Sequence, residues 1–436
     1  MLSTFAPLVI ILIAMIFMFK RVDVRLSLGL SATGLFLIAG KLPQLFVTIT
    51  QQMTNEKTVV PICTAMGFAY VLRLTECDRH LTHLLLAPLR HGRWLLIPGG
   101  IIAAYIVNMA IVSQSSTAAI VGTVLLPLLL AVNITPVIAG SLLLLGSSMG
   151  GELFNPGAVE IVKLAELTGQ PVAKLVAQVL PINLLASITT LIVFCILAVI
   201  LSQKAVLLSP EITKVDSDVA QSGKPFHLNL IKALVPLLPL ALLFIIPALV
   251  QLPKEFSNNS VSIAAAMLIA VTAAGLTTPK ESGGLVAAFF EGAGFAYANI
   301  ISIIIVATIF TDGIKANGLI EVLTNALANR PVAVKITSLI LPFTLAGVTG
   351  SGSAPAIAVM NVLVPVATTM NLDPVKIGAL AAVAAQLGRT LSPVAAVVIM
   401  SATISKQPPL NLVKCVVLPL LAGLAAVIVA TLCNWV

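Results

Sequence analysis

The amino-acid sequence predicts an all-α polytopic membrane protein made of two inverted-topology repeats, with about ten transmembrane helices, two re-entrant hairpins and two broken helices. Three observations lead there: the composition, the length of the apolar runs, and a repeat hidden among the polar residues. Apolar residues fill 59% of the 436 positions and charged ones 9%, where a soluble domain carries about 25% charge. Mean hydropathy is +1.11. Apolar runs of ~18 residues or more, the length a helix needs to cross hydrocarbon, recur along the whole chain. Aromatics are 5% and no alternating ten-residue pattern is present, so the spans read as helices and not barrel strands.

The repeat shows in its punctuation. "SQSSTAAIVGTVLLPLLLAVNITPV" from Ser113 overlays "SGSAPAIAVMNVLVPVATTMNLDPV" from Ser351, 238 positions later. Ser115 meets Ser353, Pro127 meets Pro365, Asn133 meets Asn371 and Pro136 meets Pro374. With one residue dropped, "MGGELFNPGAV" from Met149 overlays "QLGRTLSPVAA" from Gln386. Gly151 then meets Gly388, Glu152 meets Arg389, and Pro156 meets Pro393. Apolar residues match by chance in such a chain; ordered Pro, Asn, Gly and Ser matches do not.

The first repeat therefore covers residues 1–201 and the second 230–436, with 202–229 as a polar cytoplasmic linker. "MLSTFAPLVIILIAMIFMFKR" opens the first repeat. Its positive residues follow the apolar run and no small-residue cleavage site is evident, so it reads as a retained span and not a signal peptide. Spans at about 26–48 and 58–72 follow. "KRVDVR" and the loop at 73–93 are basic, which places them in the cytoplasm and both termini in the periplasm. The shifted counterpart of that loop, 311–331, balances Asp312 and Glu321 against Lys315 and Arg330. A loop basic in one copy and neutral in the other is what inversion predicts.

Trp94–Asn108 and Ala118–Val132 are apolar arms of about 15 residues, or roughly 22 Å as helix, short of the ~30 Å core. They read as a re-entrant hairpin (94–132) whose tip is "MAIVSQSSTA". A broken helix follows at 135–168, interrupted by "GGELFNPG". The second copy repeats the plan, with a hairpin at 332–370, its tip "GVTGSGSAP", and a broken helix at 374–404 interrupted by "LGRTLSP". Hydrocarbon tolerates such breaks only where protein or water satisfies the freed backbone groups.

Paired broken segments in matched positions point to the binding site of a secondary transporter. Half-helix N-termini suit an anion. The hydroxyls of Ser113, Ser115, Ser116, Thr117, Thr349, Ser351 and Ser353, the backbone at Gly352, and Thr390 and Ser392 add short polar contacts. Arg389 offers a planar fork matched to carboxylate, so a small carboxylate-bearing solute is the expected substrate. Loosened carbonyls near Ser115, Thr117, Gly151, Ser353 and Gly388 could coordinate Na⁺, the one metal expected; H⁺ is the other candidate coupling ion. Glu152 reads either as a partner of Arg389 across the pseudo-two-fold or as a proton-coupling or substrate-selecting carboxylate. Asn155 and Ser392 precede prolines and read as helix caps or as ligands. Asn299 reads as an interhelical hydrogen bond. Lys163, Glu166 and Lys174 are expected near the outer interface, and His80, His83 and His91 on an exposed amphipathic segment. The five cysteines lack metal-type spacing. No Walker motif, HExxH or appended soluble domain is present, so neither a cofactor nor a nucleic-acid partner is expected. An anion channel is the competing reading; an intramembrane enzyme lacks a nucleophile or metal constellation.

"VTGSGSAPA" followed by "LGRTLSPV" resembles the C4-dicarboxylate uptake family of the Dcu C type. "GFAYANIISIIIVATIFTDGI" (294–314) resembles the equivalent stretch of that family, and the likeness covers most of the chain. The resemblance implies the ion-transporter-superfamily plan: a homodimer with a scaffold and a moving transport domain, hairpins that meet the substrate, and an elevator-like motion. It further implies transport of succinate, fumarate, malate or aspartate across a bacterial inner membrane, by symport, exchange or efflux. A carrier of mono- or tricarboxylates or sugar acids is the variant reading. "GGELFNPG" departs from the family, where a polar, uncharged break is expected; Glu152 is foreign to it.

Overall fold

The computed structural model describes residues 2–435 apart from 21, 92, 209–225, 250–252, 320–321 and 323–329. Most of the expected linker, and Glu321, lie outside the described residues. Every regular element among those described is helical. Among the described residues eight helices are long and apolar enough to cross a membrane, and large side chains such as Ile196, Leu268 and Leu276 stand exposed along them. On a soluble protein such apolar surface would be an aggregation liability; against lipid it is the proper exterior. The chain is a multi-pass membrane protein.

The first part of the chain runs α1 (Leu2–Phe19), α2 (Val24–Ile38), α3 (Leu42–Met53), α4 (Glu56–Thr75) and α5 (Cys77–Leu86). The span expected over 26–48 is in fact two helices, because Gly40 adopts φ +65° between α2 and α3, a conformation that ends a helix. Next come α6 (Arg93–Ala110) and α7 (Gln114–Ala131), which form a hairpin, then α8 (Pro136–Ser148), a short 3₁₀ turn at Gly151–Phe154, and α9 (Val159–Thr168). The long α10 (Val172–Leu208) closes this part, so its last helix runs seven residues past the expected boundary at 201. Short helices α11 (Leu230–Leu234), α12 (Leu238–Phe244) and α13 (Ile246–Leu249) lead to α14 (Asn259–Thr277), α15 (Leu285–Ala296) and α16 (Ser302–Ala316). The final block is the hairpin α17 (Pro331–Thr349) and α18 (Ser353–Thr369), the broken pair α19 (Pro374–Thr390) and α20 (Ala396–Ser405), and α21 (Pro409–Leu432).

Local sequence sets these ends. Side chains of Ser113 and Asp373 accept the free amides at the starts of α7 and α19, the ordinary N-cap arrangement. Pro136 and Pro374 occupy the first turns of α8 and α19, where a missing N–H costs nothing. Asn133 and Asn371, one turn before them, both adopt left-handed backbone, at φ 62° and 54°. Gly169 and Lys406 do likewise after α9 and α20, at φ 66° and 52°. Each member of these pairs falls 237 or 238 positions from the other.

The hairpin arms are longer than expected: α6 and α7 are 18 residues each, α17 is 19 and α18 is 17, about 27 Å at 1.5 Å per residue. The hydropathy limits left out polar residues that are wound into the first turns. The second break also differs from expectation. Helix α19 continues through Gly388, Arg389 and Thr390, and the chain unwinds only over 391–395.

Each hairpin cradles its broken helix, α8 against α6 and α7, and α19 against α17 and α18. In the most apolar 18 residues of the Pro136–Thr168 stretch 94% are buried, against 33–56% in the other spans. This segment touches protein on all sides and cannot be a lipid-facing span. The main core gathers α4–α10, α14 and α17–α21. A second core joins α1–α3 to α15 and α16 and meets the first along α4 and α9.

Candidate functional site

The two interruptions meet in the interior. Arg389 in the last turn of α19 and Glu152 in the 3₁₀ turn after α8 form an ion pair at 3.1 Å, with side chains 7% and 1% exposed. These are the two residues that the sequence overlay matches to one another. Arg389 Nη2 also donates to the carbonyl and hydroxyl of Ser148, at 3.2 and 3.3 Å. The guanidinium therefore lies at the carbonyl end of α8, the negative end of the helix dipole. Thr390 and Ser148 share a hydroxyl bond at 2.7 Å.

Both hairpin tips reach this cluster. From the first, Gln114 donates to Glu152 Oε1, and buried Asn108 accepts from the Glu152 amide at 3.0 Å. From the second, Gly352 lies so close that a Cβ there would sit 3.1 Å from Arg389 Nη1 and from Gln386 Oε1. Ser353 Oγ donates to Glu160 Oε1 at 2.7 Å and Gln386 Nε2 donates to the same oxygen at 3.0 Å. Glu160, on α9, is 2% exposed. Several buried atoms here have no hydrogen-bond partner among the described residues: Glu152 Oε2, Arg389 Nε, Gln386 Oε1 and Ser392 Oγ. Buried polar atoms are normally satisfied, so a cluster that leaves a donor, two acceptors and a hydroxyl unmet is suited to receive a polar ligand.

The close packing is carried by two matched glycines. A Cβ on Gly151 would lie 2.7 Å from the Tyr105 carbonyl of α6, and one on Gly388 would collide with the Phe343 carbonyl of α17. Tyr105 and Phe343 are themselves 238 positions apart. Only glycine permits backbones this close.

The remaining expected residues divide. Ser113 caps α7 and bonds Ser116 at 2.9 Å, while Ser115 is half-buried in the first turn of α7. Thr117 and Thr349 bond back to carbonyls of their own segments, Ser113 and Leu345, and so serve the hairpins and not the cluster. Ser351 helps shape the second tip, its hydroxyl accepting from Ala354 N. Asn155 donates to Met109 and Ala110 carbonyls and accepts from Gly157 N, a brace for the first break.

Three outlying expectations are corrected. Lys163 is fully buried, paired with Glu166 at 2.9 Å, because Glu166 also accepts from Asn55 and Thr58 and makes the position polar enough for an ammonium. Asn299 donates to Phe295 of its own helix and not across helices. His80 is buried, its ring 4.6 Å from Phe226 and its Nδ1 accepting from Asn229 N.

The sequence reading missed Gln114, Glu160, Gln386 and Arg73. The last donates from the end of α4 to Ser116 at 2.6 Å. Glu160 carried a signal, since an acid in the apolar run "GAVEIV" is as costly as Arg389. Gln386 stands one turn before Arg389 on the same helix, a spacing that shares a face.

Residues 46–436 match the C4-dicarboxylate anaerobic carrier family. An uncharacterized transporter of Haemophilus influenzae is 29% identical over 266 residues, 60% of this chain and 94% of that protein. The anaerobic C4-dicarboxylate transporter DcuC of Escherichia coli K12 is 33% identical over 157 residues, 35% of this chain and 34% of that protein. A Vibrio cholerae protein named "Probable anaerobic C4-dicarboxylate transporter DcuC" is 25% identical over 349 residues, 78% of this chain and 73% of that protein. These are transporters and not enzymes.

Proposed function

The chain belongs to the C4-dicarboxylate anaerobic carrier family, and from that premise we propose that it is a secondary active carrier of C4-dicarboxylates such as succinate, fumarate, malate or aspartate. The observation that carries the reading is the buried Arg389 between the two interrupted helices, with the second hairpin's Gly352 against it. A planar guanidinium with an unmet Nε donor can recognise carboxylate in two-point fashion, and its burial strengthens that attraction. Ser353, Thr390 and Ser392 would supply hydroxyls, and Gln114 and Gln386 amides. Thr117 and Thr349 drop out of the first rank.

In this reading the matched hairpins, left-handed Asn133 and Asn371, and crowded Gly151 and Gly388 descend from one duplicated unit in opposite orientations. Hairpins and broken helices would form a moving transport domain, with α1–α4 and α14–α16 as scaffold, working by elevator-type alternating access in a homodimer. Na⁺ or H⁺ would drive symport, exchange or efflux across the bacterial inner membrane, with both termini periplasmic. Purified protein in liposomes should take up labelled succinate or fumarate, saturably and with counter-exchange, under a Na⁺ or a pH gradient varied separately. Absence of any dicarboxylate flux under both gradients would sink the proposal, and voltage-driven flux without saturation would favour a channel.

A further inference from the structure

Glu152 is an odd neighbour for an anion site. It is a buried carboxylate whose ion-pair partner is the arginine meant for substrate. The pair is only half made. Glu152 Oε1 accepts from Arg389 Nη2 and from Gln114, while Glu152 Oε2 and Arg389 Nε, the two atoms a second parallel bond would join, have no partner. A pair kept for strength alone would use both N–H donors along that edge of the guanidinium, because two-point pairing is the strong form. Neither member depends wholly on the other. The Ser148 carbonyl and hydroxyl hold the same Nη2, and Gln114 holds the carboxylate. Among the described residues Glu152 is the one acid within ion-pair distance of Arg389; Glu160, nearby, is held instead by Ser353 and Gln386.

We infer that Glu152 is the internal counter-ion of the unloaded carrier: it occupies the arginine when no substrate does, and a substrate carboxylate displaces it. This rests on the carrier reading above. A lone guanidinium is expensive inside a membrane and an unpaired buried charge more so, so an empty carrier must cover Arg389 before it can reorient. Glu152 supplies that cover, and substrate supplies it in the loaded form. The carboxylate therefore competes with substrate for affinity while permitting the empty return on which net transport depends.

The experiment compares two fluxes of the full chain in proteoliposomes: net succinate uptake into succinate-free vesicles, and exchange against internal succinate. Glu152→Gln should lower net uptake at least tenfold relative to exchange and lower the exchange KM at least threefold, since the competitor is gone. A purely structural role would not tighten binding. Net uptake and exchange falling together, or a raised KM, would overturn the inference. If Glu152→Gln does not fold, Glu152→Asp should move both readouts the same way to a smaller extent, and unchanged ratios in a folded Asp variant overturn it. Wild-type protein that exchanges no dicarboxylate at all defeats the carrier reading instead, a pattern distinct from either result.

Discussion

The two interrupted helices occupy matched places and are built differently. In the first half α8 stops at Ser148, Gly150 takes φ +90°, and ten residues pass before α9 begins. In the second half α19 carries straight through Arg389 and Thr390, and only five residues separate it from α20. The first break unwinds the backbone and holds an acid; the second keeps its helix and holds a base. Their surroundings diverge too. The first tip is gripped from outside by Arg73 through Ser116, whereas the second is gripped from the other half by Glu160 through Ser353. The two breaks are alike in the places where backbones touch and differ where side chains meet.

The largest effect that tests this division is at the pair itself. Arg389→Ala should abolish dicarboxylate flux and, by stranding Glu152, cost about 3–5 kcal/mol of stability. Arg389→Lys keeps the charge without the fork, so unfolding in detergent should stay near wild type while substrate affinity drops at least tenfold. Equal losses in both assays for Arg389→Lys would mean that the fork serves the fold alone.

The shared geometry predicts smaller, paired effects. Gly151→Ala and Gly388→Ala should each destabilise by about 1–3 kcal/mol, the usual range for overpacking. Gly347→Ala, whose Cβ would meet only an ordinary 3.5 Å contact, should be neutral or gain about 0.5–1 kcal/mol. Thermal unfolding decides it; a harmless Gly388→Ala would mean that the tight seam is not needed.

The connecting arms differ in a titratable group. Asp78 on α5, an arm with Ala316 at its matched position, is buried, and burial pushes its carboxyl up to about 6. Because the folded-state value lies above the unfolded one, its stabilising contribution is full below about pH 4 and is lost as pH rises through about 6. Asp78→Asn should therefore be more stable than wild type by ~1–3 kcal/mol at pH 7.5, with the gain shrinking towards pH 4.

A modest effect is the most symmetrical. Asn133→Ala and Asn371→Ala should each cost about 1–2 kcal/mol through left-handed backbone, and the glycine variants much less. Unequal costs at the two sites would weaken the case for a common ancestral unit.

Much of this architecture was legible before any coordinates. The offset, the hairpins and the breaks follow from Pro, Gly, Asn and Ser, residues that fix backbone shape and so leave a trace in order and spacing. Arg389 and Glu152 were legible because charge in an apolar run is conspicuous. Arm lengths were not, since Gln114 and Ser115 are polar yet wound into helix. Partners across the fold were not either. That Glu160 holds Ser353, 193 positions away, or that Lys163 finds Thr308, depends on how α9 is turned, and with residues 159–165 all buried no exposed polar face records it. Arg73 was absorbed into a basic loop, where its charge was read as orientation and not as contact.

The seam at Gly151 and Gly388 has a mechanical corollary. Where main chain rests on main chain, no rotamer can yield, so α6 cannot slip along the 3₁₀ turn after α8, nor α17 along α19, without prising the backbones apart. Each hairpin and the interrupted helix beneath it are therefore locked together as a single stiff piece. In the alternating-access cycle proposed above, any displacement that opens the cluster would have to occur at softer, side-chain-lined boundaries elsewhere in the molecule.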